Sequence, residues 1–221
     1  MPGAWEQRPG VLVCVLKGRE SVSAEWADAW RNLQFPPQSN YMKPAGMPFD
    51  HARNIGCDTA LENGYSHIFF LDDDVIAPHD AILRLLSHKR DIVSGVYYRR
   101  SPPIGVPVML RYIEGGTQYV TQFKWPDLIP VDLVGAGCLL ISRTVLEAMK
   151  AKGGHHPFFD WRSDRTDLPP LERTSEDFTF CVRAKREFGF EILVDTSVRC
   201  HHVGMAKACI DGENKPAFMP L

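Results

Sequence analysis

The sequence lacks any stretch long enough to cross a membrane. A spanning helix needs about 20 consecutive apolar residues, and no apolar run here approaches that. The N-terminus has no basic segment followed by a long apolar one, so no signal peptide is expected. An excess of one charge is also missing. The formal net charge of −2 gives no whole-chain footprint for nucleic acid or an anionic membrane. The short basic pairs Lys89-Arg90 and Arg99-Arg100 read as surface or phosphate contacts. The six cysteines are scattered, no CxxC pair occurs, and several sit inside apolar runs. That argues against a disulfide framework or a zinc site and for buried thiols in a reducing cytoplasm. There is no internal repeat and no low-complexity segment.

What is present suits one α/β domain. A chain of 221 residues can bury one substantial core. Residues 1–10 read as a lead-in, 11–204 as the domain, and 205–221 as a flexible tail or lid. The stretch that organises the rest runs from His67 to Val75, where an apolar segment ends in Asp72-Asp73-Asp74. The apolar part reads as a strand buried on both faces. The acids then stand at its carboxyl end, where open α/β sheets bind ligands. Two carboxylates about 4 Å apart repel by roughly 4 kcal/mol at an effective dielectric near 20. Water or a divalent cation relieves that, and hard cations such as Mg²⁺ and Mn²⁺ take carboxylate oxygens together with phosphates. A solvated turn or the start of a helix near Pro78 would also explain the acids. After so apolar a strand, metal is the preferred reading.

Other segments follow by pattern. Val11–Leu16 is a buried strand. Ser23 caps a helix with Trp26, Trp30 and Leu33 on one face, stopped by Pro36-Pro37. Asp50 is the N-cap candidate of a helix running to Asn63, with Gly64 as its stop. Ile82, Leu83 and Leu86 form the inner face of the next helix. Ile92–Tyr98 is a strand, and a hairpin turns at Glu114-Gly115-Gly116. Val131–Ile141 reads as one strand interrupted at Gly135 and Gly137, where glycine marks a bulge or a close approach. Residues 143–152 form a helix. The aromatics Phe158, Phe159 and Trp161 either stack on a sugar or base or pin their loop. Thr174 or Ser175 caps a helix that opens with Glu176-Asp177 and stops at Gly189. Two short strands, Ile192–Asp195 and Val198–Cys200, deliver His201-His202-Val203-Gly204.

A strand ending in Asp-x-Asp resembles the metal-binding motif of GT-A glycosyltransferases, here of the family-2-like group. The similarity extends to Ala52-Arg53-Asn54, the Gly135-x-Gly137 segment, the Glu176-Asp177 pair and His202-Val203-Gly204, in the family's order. Where similar proteins carry Pro-Thr or a like pair after the first strand, this chain has Leu16-Lys17. The resemblance implies a GT-A, Rossmann-like, mostly parallel mixed sheet flanked by helices. It implies transfer of a sugar from a UDP- or GDP-sugar to an acceptor hydroxyl, with Mn²⁺ or Mg²⁺ as cofactor. Asp72, Asp74 and His202 would hold the metal, with His201 structural. Asp72, Asp73, Arg53, Asn54, Gly135, Gly137 and Arg100 would contact the donor. Asp177, with Glu176 as neighbour or alternate, would be the base, which suggests inversion. Trp161 would meet the acceptor. Small anchor-free proteins of this look also occur in phage genomes, so a modified nucleobase of phage DNA is one acceptor, though the charge does not favour it. Two other readings stay open: a nucleotidyltransferase on a similar fold, and a catalytically silent nucleotide- or sugar-binding module.

Overall fold

The computed structural model describes residues 10–18, 20–100, 105–154, 156–168 and 173–204, and the backbone of 206–210 and 216–220. Among the described residues five elements are helices: α1 (Ala24–Asn32), α2 (Phe49–Glu62), α3 (Ala81–Ser87), α4 (Arg143–Lys152) and α5 (Glu176–Phe188). The central strands are β1 (Val11–Leu16), β2 (Asn40–Met42), β3 (His67–Asp72), β5 (Ile92–Val96), β8 (Leu128–Val131), β10 (Cys138–Ser142) and β11 (Ile192–Arg199). They form one seven-stranded sheet in the order β2-β1-β3-β10-β5-β11-β8. β10 runs antiparallel to both its neighbours and β8 antiparallel to β11, while the remaining pairs are parallel. The sheet is therefore mixed and mostly of one direction, as the sequence suggests.

Its hydrophobic runs are continuous because both faces are covered. Along β1, Leu12, Cys14 and Leu16 pack toward α2, α4 and α5 with Cys57, Val145 and Phe180. Val11, Val13 and Val15 pack the other way, with Trp26 of α1 and Ile82 and Leu85 of α3. The period of two thus feeds two cores from one strand. Ser23 caps α1 by accepting from the Trp26 amide at 3.1 Å, and α5 ends on Gly189 in the left-handed region at φ 73°.

Several local expectations need correcting. α2 begins after Pro48, and Asp50 lies inside its first turn instead of capping it. On α3 the inner face is Ala81, Ile82 and Leu85, with Leu83 turned to solvent. Residues 131–141 are not one strand. β8 ends at Val131, β9 (Leu133–Val134) joins β6 (Met109–Ile113) in a separate sheet with β7 (Gly116–Tyr119), and β10 begins only at Cys138. β11 is one strand with a register shift between Asp195 and Arg199, not two. The backbone beyond 204 forms β13 (Ala206–Ile210) and β14 (Pro216–Pro220). They extend a four-stranded sheet with β12 (His201–Val203) and β4 (Val75–Ile76), where a loose tail was expected. Among the described residues, no helix is long and apolar enough to cross a membrane.

Candidate functional site

The parallel pairing of β1 with β3 sets Leu16 beside Asp72. The chain after β1 therefore passes over the acidic triplet, and the Gly18 amide donates to Asp73 Oδ2 at 2.9 Å. The Trp26 indole N–H donates to the Asp72 carbonyl at 3.0 Å and fixes the strand end from below. β4 follows at once and pairs with β12, placing His202 opposite Val75. The Val203 amide donates to the Asp74 carbonyl at 2.8 Å. A local strand end is thus stitched to a segment far along the chain.

These elements enclose a cleft of about 450 Å³, a size suited to a small-molecule ligand. Asp72, Asp73, Asp74, Glu176, Asp177 and His202 line it, with Arg53, Arg100 and Trp161. Nine of the residues singled out in the sequence therefore meet at one place. Arg53 is buried at the floor. Its Nη2 lies 3.0 Å from Asp72 Oδ1 and its Nε 3.3 Å from Glu176 Oε1, while Nη1 donates to the Ala136 carbonyl at 3.3 Å. Its guanidinium also stands over the rings of Phe70 and Phe159, at 5.2 and 5.6 Å. Burial raises the Asp72 and Glu176 carboxyl pKa values, and the charge of Arg53 opposes the rise. For Arg53 burial pulls the other way, and the acids outweigh it, so the guanidinium stays charged.

At the other end, Arg100 Nη1 lies 2.6 Å from Asp74 Oδ2. His202 Nε2 is 3.5 Å from Asp74 Oδ1, and its Nδ1 is 2.8 Å from the Tyr98 carbonyl. That carbonyl can only accept, so Nδ1 carries a proton and Nε2 is the nitrogen aimed at the acid. Burial lowers the His202 pKa, but the hydrogen bond and charge of Asp74 with the Tyr98 carbonyl turn the net shift upward. His201 is absent from the cleft wall, as strand alternation requires. Asp177 accepts from the Phe178 amide at 2.8 Å and from the Ser175 hydroxyl.

Three expected donor contacts stand elsewhere. Asn54 is buried outside the cleft. Its Nδ2 donates to the Asp50 and Phe159 carbonyls at 2.7 Å each, and its Oδ1 accepts from the amides of Phe158 and Phe159. It pins the loop before Trp161. Phe158 and Phe159 are fully buried and stack on nothing from solution; Trp161 alone of the three is exposed, at 44%. Gly135 and Gly137 give room to Tyr97. A Cβ on Gly135 would sit 2.1 Å from the Tyr97 hydroxyl, and one on Gly137 would lie 3.1 Å from Asp72 Oδ2. The Gly137 amide donates to that hydroxyl at 3.0 Å. Nor are Asp72, Asp74 and His202 drawn into a compact ligand cluster, because Arg53 and Arg100 hold the two acids. Among the described residues, the one group whose ligand atoms all lie within 4.8 Å is Asp50, His51 and His156, which could hold a metal ion.

Sequence reasoning passed over that group and the cleft residues Phe49, Tyr97 and Tyr119. Tyr97 follows an apolar strand two residues before the Arg99-Arg100 pair, a signal that could have been read. Nothing in the sequence ties His156 to residues 50 and 51.

No family model matches the sequence, and no curated protein does. In fold the chain is similar to A197 from STIV, known from a crystal structure, with a TM-score of 0.61 over 96% of this chain and 95% of that one. The two are 17% identical, so the likeness is one of fold.

Proposed function

We propose that the protein is a GT-A glycosyltransferase that moves a sugar from a UDP- or GDP-sugar to an acceptor hydroxyl, with Mn²⁺ or Mg²⁺ as cofactor. The observation that carries this reading is the convergence of Asp72, Asp74, Asp177 and His202 on one cleft at the carboxyl end of β3. Two carboxylates and an imidazole are donor types that suit a divalent ion once Arg100 turns away from Asp74. Asp74 and His202 already approach each other, and the Tyr98 carbonyl fixes the histidine with Nε2 toward the acid. Asp74, His202 and Asp72 would hold the ion, which would stabilise charge on a leaving diphosphate. Arg100, the cation now on Asp74 and 40% exposed, is placed to turn to phosphate oxygens. Arg53 lines the floor of the same cleft with three of its five N–H groups engaged, and it positions Asp72 and Glu176 beneath the donor. That engagement separates the two acids of α5. Glu176 is buried and bound to Arg53, whereas Asp177 is half-buried on the cleft wall. Asp177 is therefore the base that removes the acceptor proton, and inversion at the sugar follows from direct attack. Trp161 offers an exposed ring to the acceptor. The five described cysteines, all buried and free, suit the reducing cytoplasm.

The test is mass spectrometry of nucleotide-sugars incubated with the protein, with and without Mn²⁺, beside a thermal-shift screen of UDP, GDP and their sugars. Mn²⁺-dependent release of the diphosphate is expected. Asp177→Asn should keep donor binding and lose transfer or hydrolysis by about 10²–10⁴-fold. Nucleotide binding without turnover would leave a silent module, and pyrophosphate release from a nucleoside triphosphate would mean a nucleotidyltransferase.

A further inference from the structure

Asp50, His51 and His156 take no part in the reaction proposed above. Asp50 and His51 come from the first turn of α2, and His156 from the loop between α4 and α5. Their ligand atoms lie within 4.8 Å of one another. The two imidazole rings are 4.7 Å apart at a tilt of 57°, so they converge on a shared volume without lying face to face. Asp50 is buried, and its carboxylate is oriented by two amides, His51 at 2.9 Å and Trp161 at 3.4 Å. A carboxylate has about four acceptor positions, so two amides leave capacity for a cation. Asn54 braces the backbone on both sides of the group, donating from Nδ2 to the Asp50 and Phe159 carbonyls at 2.7 Å each.

We propose that Asp50, His51 and His156 bind a borderline transition-metal ion of the Zn²⁺ class, which clasps the 156–161 segment to the start of α2. Two imidazoles and one carboxylate favour Zn²⁺ over Mg²⁺ or Ca²⁺, which take oxygen-rich sets. Three protein ligands leave a fourth tetrahedral position for water, and the exposure of His51 admits it. The clasp matters because the segment ends in Trp161 at the lip of the cleft. It stands apart from the acids of the proposed reaction and does not depend on that reading.

The experiment titrates chelator-stripped full-length protein with Zn²⁺ against a chromogenic indicator and follows amide exchange at Phe158–Trp161. One Zn²⁺ per chain that depends on His51 is expected, beyond any ion the cleft acids take, with slower exchange in that segment and no competition from equimolar Mg²⁺. His51 is exposed, so His51→Ala should melt like the metal-free wild type. Its zinc affinity should fall by at least the roughly 10–100-fold that loss of an outer partner costs. His156→Ala should behave alike, and if it fails to fold, His51→Ala decides alone. Asp74→Asn should keep the Zn²⁺ that His51→Ala loses. No zinc binding, or binding equal in wild type and His51→Ala, would overturn the site. Binding lost in Asp74→Asn but kept in His51→Ala would move the ion into the cleft and overturn it equally. Zinc held by these residues with unchanged exchange would overturn the clasp.

Discussion

Arg53 carries a full charge where little water reaches it and divides it between Asp72 and Glu176. Removing one partner of a buried pair leaves the other charge uncompensated, at a cost of about 3–5 kcal/mol. Arg53→Ala should lower stability by about that amount in urea unfolding. Arg53→Lys should recover only part of it, since an ammonium cannot reach two acids in a fork. A variant that loses transfer but not stability would mean that Arg53 acts on the ligand instead. Far from the cleft, Asp195 accepts from His88 at 2.8 Å and from the Ser197 amide and hydroxyl at 2.8 and 2.6 Å. Burial raises its pKa, but these bonds outweigh burial and hold it below its ordinary value of 3.8. The sign follows from linkage. A depressed folded-state pKa stabilises the fold above 3.8, and the gain is lost as pH falls through the lower, folded-state value. Asp195→Asn should therefore cost about 1–3 kcal/mol at neutral pH, and the gap to wild type should close on acidification below 3.8. A gap of the same size at pH 7 and in strong acid would show that the carboxylate charge is not its source.

Among elements, the ones legible in the sequence are those whose signals are local. β3 reads correctly because its apolar run and its acids are contiguous, and α4 because Val145, Leu146 and Met149 repeat at helical spacing. The segment from Val131 to Ile141 misleads for the opposite reason. Its residues are apolar throughout, yet Leu133 and Val134 pair with β6 while Cys138 onward pairs with β3 and β5. Only partners remote in sequence decide where that run breaks. Asn54 is a similar case, since its loop lies a hundred residues away and a motif alone assigns it to the ligand. The break itself is held by Tyr97. An added methyl at Gly135 would meet the Tyr97 hydroxyl at 2.1 Å and Val108 Cγ1 at 2.8 Å. Gly135→Ala should thus cost about 1–3 kcal/mol through overpacking. Tyr97→Phe removes the nearer clash but leaves the Val108 contact, so the same substitution should cost less in that background. A double-mutant cycle would detect a coupling of about 0.5 kcal/mol or more. Additive effects would mean that the loop moves aside instead of pressing on the tyrosine.

At the scale of the molecule, the seven-stranded sheet and the site belong to different lengths of chain. The sheet is complete by Arg199, but β12, which brings His202 to the cleft, follows it and is flanked by β4 and β13. Removing residues 205–221 takes away β13, which pairs His202 with Ala208. What remains beside Asp74 is a two-stranded ribbon of β12 and β4, and such ribbons are marginal alone. The truncated chain should keep a single cooperative unfolding transition, because its central sheet is intact. Its response to ligand should fall. At a diphosphate–Mn²⁺ concentration of about 100 times Kd, the full chain gains about 2.7 kcal/mol, or about 5–11 °C at roughly 2–4 °C per kcal/mol for this size. If loosening His202 weakens binding about tenfold, the same ligand concentration gives about 1.4 kcal/mol and half the shift. Thermal melts of both chains with and without ligand measure this directly. Equal shifts in the two would show that the terminal hairpin does not hold His202 in place. Loss of the transition itself would show that the fold needs the hairpin as much as the site does.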